Sequence, residues 1–220
     1  MTSNYRKLIP LLSGLLLALP MHAQSQTDVA DAYDIDQQES ILRVYVGRAG
    51  VLARMGHNHV MYTRELEGEI NLTADRSDSS ATFSFPVASL VVDDPAERER
   101  AGDGFDSQPG ESAIEGTRSN MLGEGVLNAD VFPTVSASIT PLSFEGEQWQ
   151  FAVVLDFQGN AVNLEVPGEV TITASTITVN SRFTLVHEDL GLSVFTALGG
   201  SLRVAEEIDF ELTITGTVRN

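Results

Sequence analysis

The chain has 220 residues, no cysteine, and 31 acidic against 13 basic side chains, a formal net charge of −18. That balance predicts a surface that repels nucleic acid and anionic lipid headgroups, so neither is an expected partner. With no disulfide available, the fold must rest on packing alone, and 42% hydrophobic residues suffice for a sizeable core.

The first residues read as a targeting segment. "MTSNYRK" is basic, "LIPLLSGLLLALP" is a short apolar run, and "MHA" ends in a small residue before "QSQ". This pattern predicts a secretory signal over 1–23. Pro10, Gly14 and Pro20 break the run, which is short for a membrane span. No cysteine follows it to take a lipid, and no later stretch approaches a membrane helix. The mature chain from Gln24 is therefore expected to be soluble, exported and periplasmic. Its eleven remaining basic residues are all arginine, and its acids are scattered, which suits a solvated surface. Residues 24–32 form a polar leader, and 33–218 suit one domain.

From Tyr33 onward the pattern is mostly β. In "SILRVYVG", Leu42, Val44 and Val46 share a face. "VMYTRELEGEINL" places Val60, Tyr62, Leu66, Ile70 and Leu72 on one parity. "ATFSFPV" alternates Phe83, Phe85 and Val87. "VVDDPAERERAGDGFDSQPG" reads as a loop with one helical turn. "ESAIEGTRSNMLG" spaces Ile114, Arg118, Met121 and Leu122 as a short helix over 111–122. "WQFAVVLDF" then alternates Trp149, Phe151, Val153, Leu155 and Phe157. In "EVTITASTITVNSRFTLV", Val170 and Ile172 are even, while Ile177, Val179, Phe183 and Leu185 are odd, so a turn or bulge belongs near Ser175. The last strand keeps Leu202, Val204, Ile208, Phe210, Leu212 and Ile214 in phase. Period-two alternation means one buried and one solvated face. About seven or eight such strands around one helical excursion suggest an all-β antiparallel barrel or sandwich.

Three stretches resemble the YceI-like family of exported, lipocalin-like, polyisoprenoid-binding proteins. "YDIDQQESILRVYVGRAG" carries Tyr33, Ile35, Asp36, Ser40 and Gly50 at that family's steps. "NMLGEGVLNADVFPTVSASI" resembles its helix-to-strand passage, with Phe132 and Pro133 before the strand. "FTLVHEDLGLSVFTALGGSLRVAEEIDFELTITG" resembles its ending, with Asp189, Leu190 and Gly191 at the turn. The likeness spans about residues 33–216. Glu39 and Arg48 stand where the family has histidines, and "LARMGHNHVMY" looks rewritten, which marks a divergent branch. The resemblance implies an eight-stranded lipocalin-like barrel with a helix across it and an elongated cavity for a quinone or polyprenyl tail. Such a tail gains roughly 0.8 kcal/mol per buried methylene, so it needs few hydrogen bonds.

Phe83, Phe85, Phe151, Val153, Leu155, Phe183, Phe210 and Leu212 are the candidate ligand-contacting residues, or else core filling. Among the arginines, Arg48, Arg54, Arg64 and Arg118 are prominent. Arg48 stands at the family motif and is the candidate for a ligand headgroup; solvated pairing with acids is its other reading. His57 and His59 are two apart and would share a direction in an unbroken strand. A metal would need a third ligand, for which His187 is the remaining mature histidine, with Glu188 or Asp189 beside it. Extending the alternation of Val60 and Tyr62 backwards turns His57 and His59 outward, toward water. There is no Gly-x-Ser-x-Gly, HExxH or glycine-rich phosphate loop, and "HED" is only a consecutive triplet. The expectation is a non-enzymatic carrier for an amphiphilic isoprenoid-type lipid, with no cofactor beyond that lipid. The alternatives are an exported metal-binding protein using the His57/His59 pair, or an interaction module without a ligand.

Overall fold

The computed structural model describes residues 29–219. The signal expected over 1–23 and most of the polar leader lie outside the described residues. The first strand, β1 (Val29–Ile35), begins within the stretch read as leader. It is followed by β2 (Ile41–Ala49), β3 (His59–Thr63), β4 (Glu67–Thr73), β5 (Ser80–Pro86) and the two-residue β6 (Val91–Val92). Helices α1 (Pro95–Ala101) and α2 (Glu111–Leu122) come next. The chain ends with β7 (Thr134–Glu145), β8 (Gln148–Phe157), β9 (Asn160–Ile172), β10 (Thr176–Val186), the short β11 (Thr196–Ala197) and β12 (Leu202–Val218).

The architecture is an all-β, lipocalin-like antiparallel barrel. The hydrogen-bonded order β1-β4-β5-β7-β8-β9-β10-β12 closes on itself through β1 and β12. Strand β12 is long enough to pair with β10 along one edge and with both β1 and β2 along the other. Strands β1 and β2 are thus two halves of one wall position. The chain between them turns at Asp36, whose carboxylate accepts from the Gln38 and Glu39 amides. The Ser40 hydroxyl accepts the Thr215 N–H at 3.0 Å, so the break in the ladder leaves that buried donor satisfied. Strands β3 and β4 form the next wall position in the same way, separated by Arg64–Leu66.

Closure requires the inner face to fit a narrow lumen. Gly168 in β9 faces Trp149 in β8, and a Cβ there would lie 2.7 Å from the Phe151 ring. The missing side chain is the space the ring occupies. Trp149 packs on Phe151 with ring centroids 5.8 Å apart, and Arg76 lies over the indole.

Most of the predicted alternation is observed. The expected phase change near Ser175 is the turn between β9 and β10. Helix α2 spans the residues predicted for it, but the preceding loop holds a second helix, α1, with Asp94 as N-cap and Pro95 in its first turn. One parity is reversed. Val60 and Tyr62 do not share the inner face with Ile70 and Leu72; His59 and Met61 do. The irregular Arg64–Leu66 segment resets the phase between β3 and β4. Val60 is nonetheless fully buried, because the Asp93–α1 segment covers it from outside. Burial under an outer layer looked in sequence like burial in the core.

Gly168→Ala should lower stability by about 1–3 kcal/mol, the ordinary cost of overpacking. Adding Phe151→Leu should recover part of that loss. Urea midpoints of the two single variants and the double variant measure the coupling.

Candidate functional site

The barrel encloses a cavity of about 370 Å³. This is within the roughly 300–1,000 Å³ typical of small-ligand sites. Phe83 and Phe85 from β5, and Phe151, Val153 and Leu155 from β8, are in its wall. So are Phe183 from β10 and Phe210 and Leu212 from β12, with the Phe183 and Phe210 rings stacked at 5.1 Å. Trp149, Met61 and Met121 complete a lining that is almost wholly apolar. The few polar residues in the wall are mostly engaged locally. Ser79 accepts the Thr73 amide, and Ser181 donates to the Pro167 carbonyl. At the end of the barrel that carries the helices, His59, His187 and Asn120 border the cavity. The ladder Val186–Glu207, Ile208–Val46, Val46–His59 sets His59 and His187 on that same rim.

Arg48 does not face the lumen. It is exposed, donates through its guanidinium to the Gly56 carbonyl, and its amide donates to the Asn58 side chain. It braces the 50–58 loop. Arg118 has a comparable task, donating to the Ala88 and Leu90 carbonyls and fastening α2 to the turn after β5.

The histidine pair is closer to the cavity than strand phase predicts. His59 opens β3 and is part of the cavity wall; His57 lies in the preceding loop, its ring 4.5 Å from that of His59. Their third neighbour is Asp93 and not His187, whose Nδ1 instead meets the Glu206 carbonyl at 2.9 Å. Asp93 is fully buried. His59 Nδ1–H donates to its Oδ2 at 2.7 Å, and His57 Nε2 stands 3.9 Å from the same oxygen. Its Oδ1 accepts from the Val60 amide and from Arg98.

Arg98, from the middle of α1, is itself buried and fully employed. Besides Asp93 it donates to the carbonyls of Asn58, Phe105 and Ser107 and to the Ser107 hydroxyl. Its neighbour Glu97 points the other way, accepting two bonds from Arg43 on β2. The two residues thus fasten α1 across the outer wall. Asp93 has φ +54°, a left-handed conformation that aspartate tolerates at some cost.

Electrostatics follows from this packing. Burial pushes the Asp93 carboxyl upward, but the His59 hydrogen bond and charge, the Val60 amide and Arg98 outweigh it and hold the group below the ordinary aspartate value. Burial, then the neighbouring His59, pushes the His57 imidazole below its ordinary value. Asp93 and Arg98 are the members of this constellation that sequence reasoning missed. "DDP" does signal a helix start at Asp94, but nothing in its spacing says that the preceding aspartate turns inward.

No family model matches the chain, and no curated protein does. Solved structures do. The chain is similar to BcnA of Burkholderia cenocepacia, with a TM-score of 0.60 and 13% identity over 83% of this chain and 99% of that one. It is similar to the YceI protein of Campylobacter jejuni, with a TM-score of 0.53 and 9% identity over 73% of this chain and 85% of that one. The chain therefore has the YceI-like barrel fold. No helix among the described residues is long and apolar enough to cross a membrane.

Asp93→Asn should destabilise the fold by about 3–5 kcal/mol, because it leaves the buried Arg98 charge uncompensated. Removing the exposed Arg203–Glu206 pair by Arg203→Ala should cost less than about 1 kcal/mol. Chemical denaturation of both variants tests the contrast. The pH dependence has a defined sign. The unfolded chain protonates His57 before the fold does, so stability should fall as pH drops below about 6.5. That decline ends once the folded-state imidazole also takes a proton. Asp93 acts lower, its contribution disappearing as pH falls from about 3.8 toward its depressed folded-state value. In His57→Gln the slope between roughly pH 7 and 5 should be shallower than in the wild type.

Proposed function

We propose that the chain is a divergent YceI-like protein: an exported, non-catalytic carrier that holds an amphiphilic isoprenoid-type lipid in its barrel. The observation that carries this reading is the apolar lumen. A cavity of about 370 Å³ walled by aromatic and aliphatic side chains has little to offer a polar substrate. It offers a prenyl tail a dry, preformed slot, at roughly 25 cal/mol for each Å² of apolar surface removed from water. The fold supports the reading, being shared with the YceI protein of Campylobacter jejuni. The N-terminal basic and apolar segments support export to the periplasm.

The polar head of such a ligand belongs at the helix-bearing end. There His59, His187 and Asn120 supply the hydrogen-bonding groups that the rest of the wall lacks. The role assigned to Arg48 from its motif position passes to these residues, since Arg48 does not line the cavity and its guanidinium is spent on the Gly56 carbonyl.

Organic extracts of the purified native protein, examined by mass spectrometry, should contain a prenylated lipid. Added ubiquinone or polyprenol at about 100 times its Kd should stabilise the protein by about 2.7 kcal/mol. For a domain of this size that is a rise in Tm of roughly 5–10 °C. Leu155→Phe, which narrows the lumen, should remove the rise without unfolding the barrel. Empty extracts together with an unmoved Tm would overturn the proposal.

A further inference from the structure

We infer that His57, His59 and Asp93 form a binding site for one late first-row divalent transition ion of the zinc class. This inference is independent of the lipid reading, because the cluster is built whether or not the lumen is filled. The three donor atoms lie within 4.8 Å of one another. With bonds of about 2.0–2.1 Å in a tetrahedral site, neighbouring donors are about 3.3 Å apart. The 2.7 Å between His59 Nδ1 and Asp93 Oδ2 and the 3.9 Å between His57 Nε2 and the same oxygen straddle that spacing. Small side-chain rotations bring the set to it.

Two features show that the cluster is aimed. The first is the division of labour on Asp93. Its Oδ1 is held by the Val60 amide and Arg98, which leaves Oδ2 directed at both imidazoles. Outer partners that fix one carboxylate oxygen while the other is presented are how ligating carboxylates are oriented. The second is His57. Among the described residues, its Nε2 is the buried side-chain polar atom left without a hydrogen-bond partner. Such atoms are rare in native structures, and an ion would supply the missing partner.

The neighbouring charge decides which ion. Arg98 neutralises much of the Asp93 charge, which handicaps calcium and magnesium, since hard cations depend on carboxylate oxygens. Two imidazoles keep their affinity for zinc, copper and nickel. On entry, the ion replaces the His59–Asp93 hydrogen bond. The His59 Nδ1 proton leaves as the ion enters, and the ring keeps its proton at Nε2. Three protein ligands leave a fourth position open.

Titration of the chelator-treated full-length mature protein with zinc chloride by calorimetry tests the site. One equivalent should bind to the wild type, and an excess of magnesium should not displace it. His57→Gln, at the periphery of the cluster, should keep the wild-type circular dichroism and weaken zinc binding at least tenfold, and His59→Gln likewise. Cobalt(II) added to the wild type should show the visible absorption of tetrahedral coordination, and His57→Gln should not. Displacement by magnesium, equal affinity in wild type and His57→Gln, or an octahedral cobalt spectrum would each overturn the proposal. Delipidated protein should give the same titration, so an empty lumen and an empty metal site are separate results.

Discussion

The structure depends on one closure. A barrel has no free edge only if some strand can pair on both sides along its length, and β12 is that strand. It holds β10 on one flank and, on the other, β1 and β2 in succession. Its seventeen residues are what allow the opposite wall position to be interrupted at 36–40 without opening a seam. Ser40 completes the repair by giving the Thr215 amide a partner in mid-ladder. Once the ring is closed, the inner parity of every strand faces a common space. Large apolar residues at those positions make that space dry, and Gly168 shows how closely its width is matched to the rings inside it.

The helical excursion between β6 and β7 adds a second layer on one side. Helix α1 is attached by charges, whereas α2 adds Met121 to the apolar interior. Arg98 is buried against Asp93 and four backbone or hydroxyl acceptors, and Glu97 is clamped by Arg43. A buried ion pair adds little net stability over an apolar replacement, but removing one partner strands the other charge, so the two must stay together. Here that fixes the seating of Asp93 beneath the start of β3. That seating gives His59 its hydrogen bond and sets its ring in the cavity wall.

The barrel was legible from the alternation of strands β5, β8, β10 and β12, where the inward residues are large and apolar almost throughout and Ser181 is the small polar exception. Helix α2 and the turn near Ser175 were legible for the same reason, as changes of period and phase. Strand β3 was misread because period-two alternation reports burial without saying which side buries. Val60 is covered from outside, so its parity pointed the wrong way, and His57 and His59 were assigned to water. The third member of the histidine cluster was invisible for a different reason. His187 was the natural candidate by residue type, whereas Asp93 joins the pair through a β6–β3 ladder only two residues long. No local pattern announces a contact of that kind. Arg48 was assigned by motif position; it shares the parity of Val44 and Val46 but lies near the end of β2, beyond the cavity wall, where its guanidinium is spent on the Gly56 carbonyl.

The excursion covers one side of the barrel, and the consequence is mechanical. Around β2 and β3 the lumen is walled by backbone, an outer helix and a network of charges. Along β7, β8 and β9 it is walled by backbone alone, with Val154 and Leu142 open to solvent. Free energies of local opening are lowest where few contacts must be broken. The two flanks therefore hold in different ways: β2 and β3 share a short ladder and lean on the outer layer, whereas β7, β8 and β9 hold through long ladders of their own.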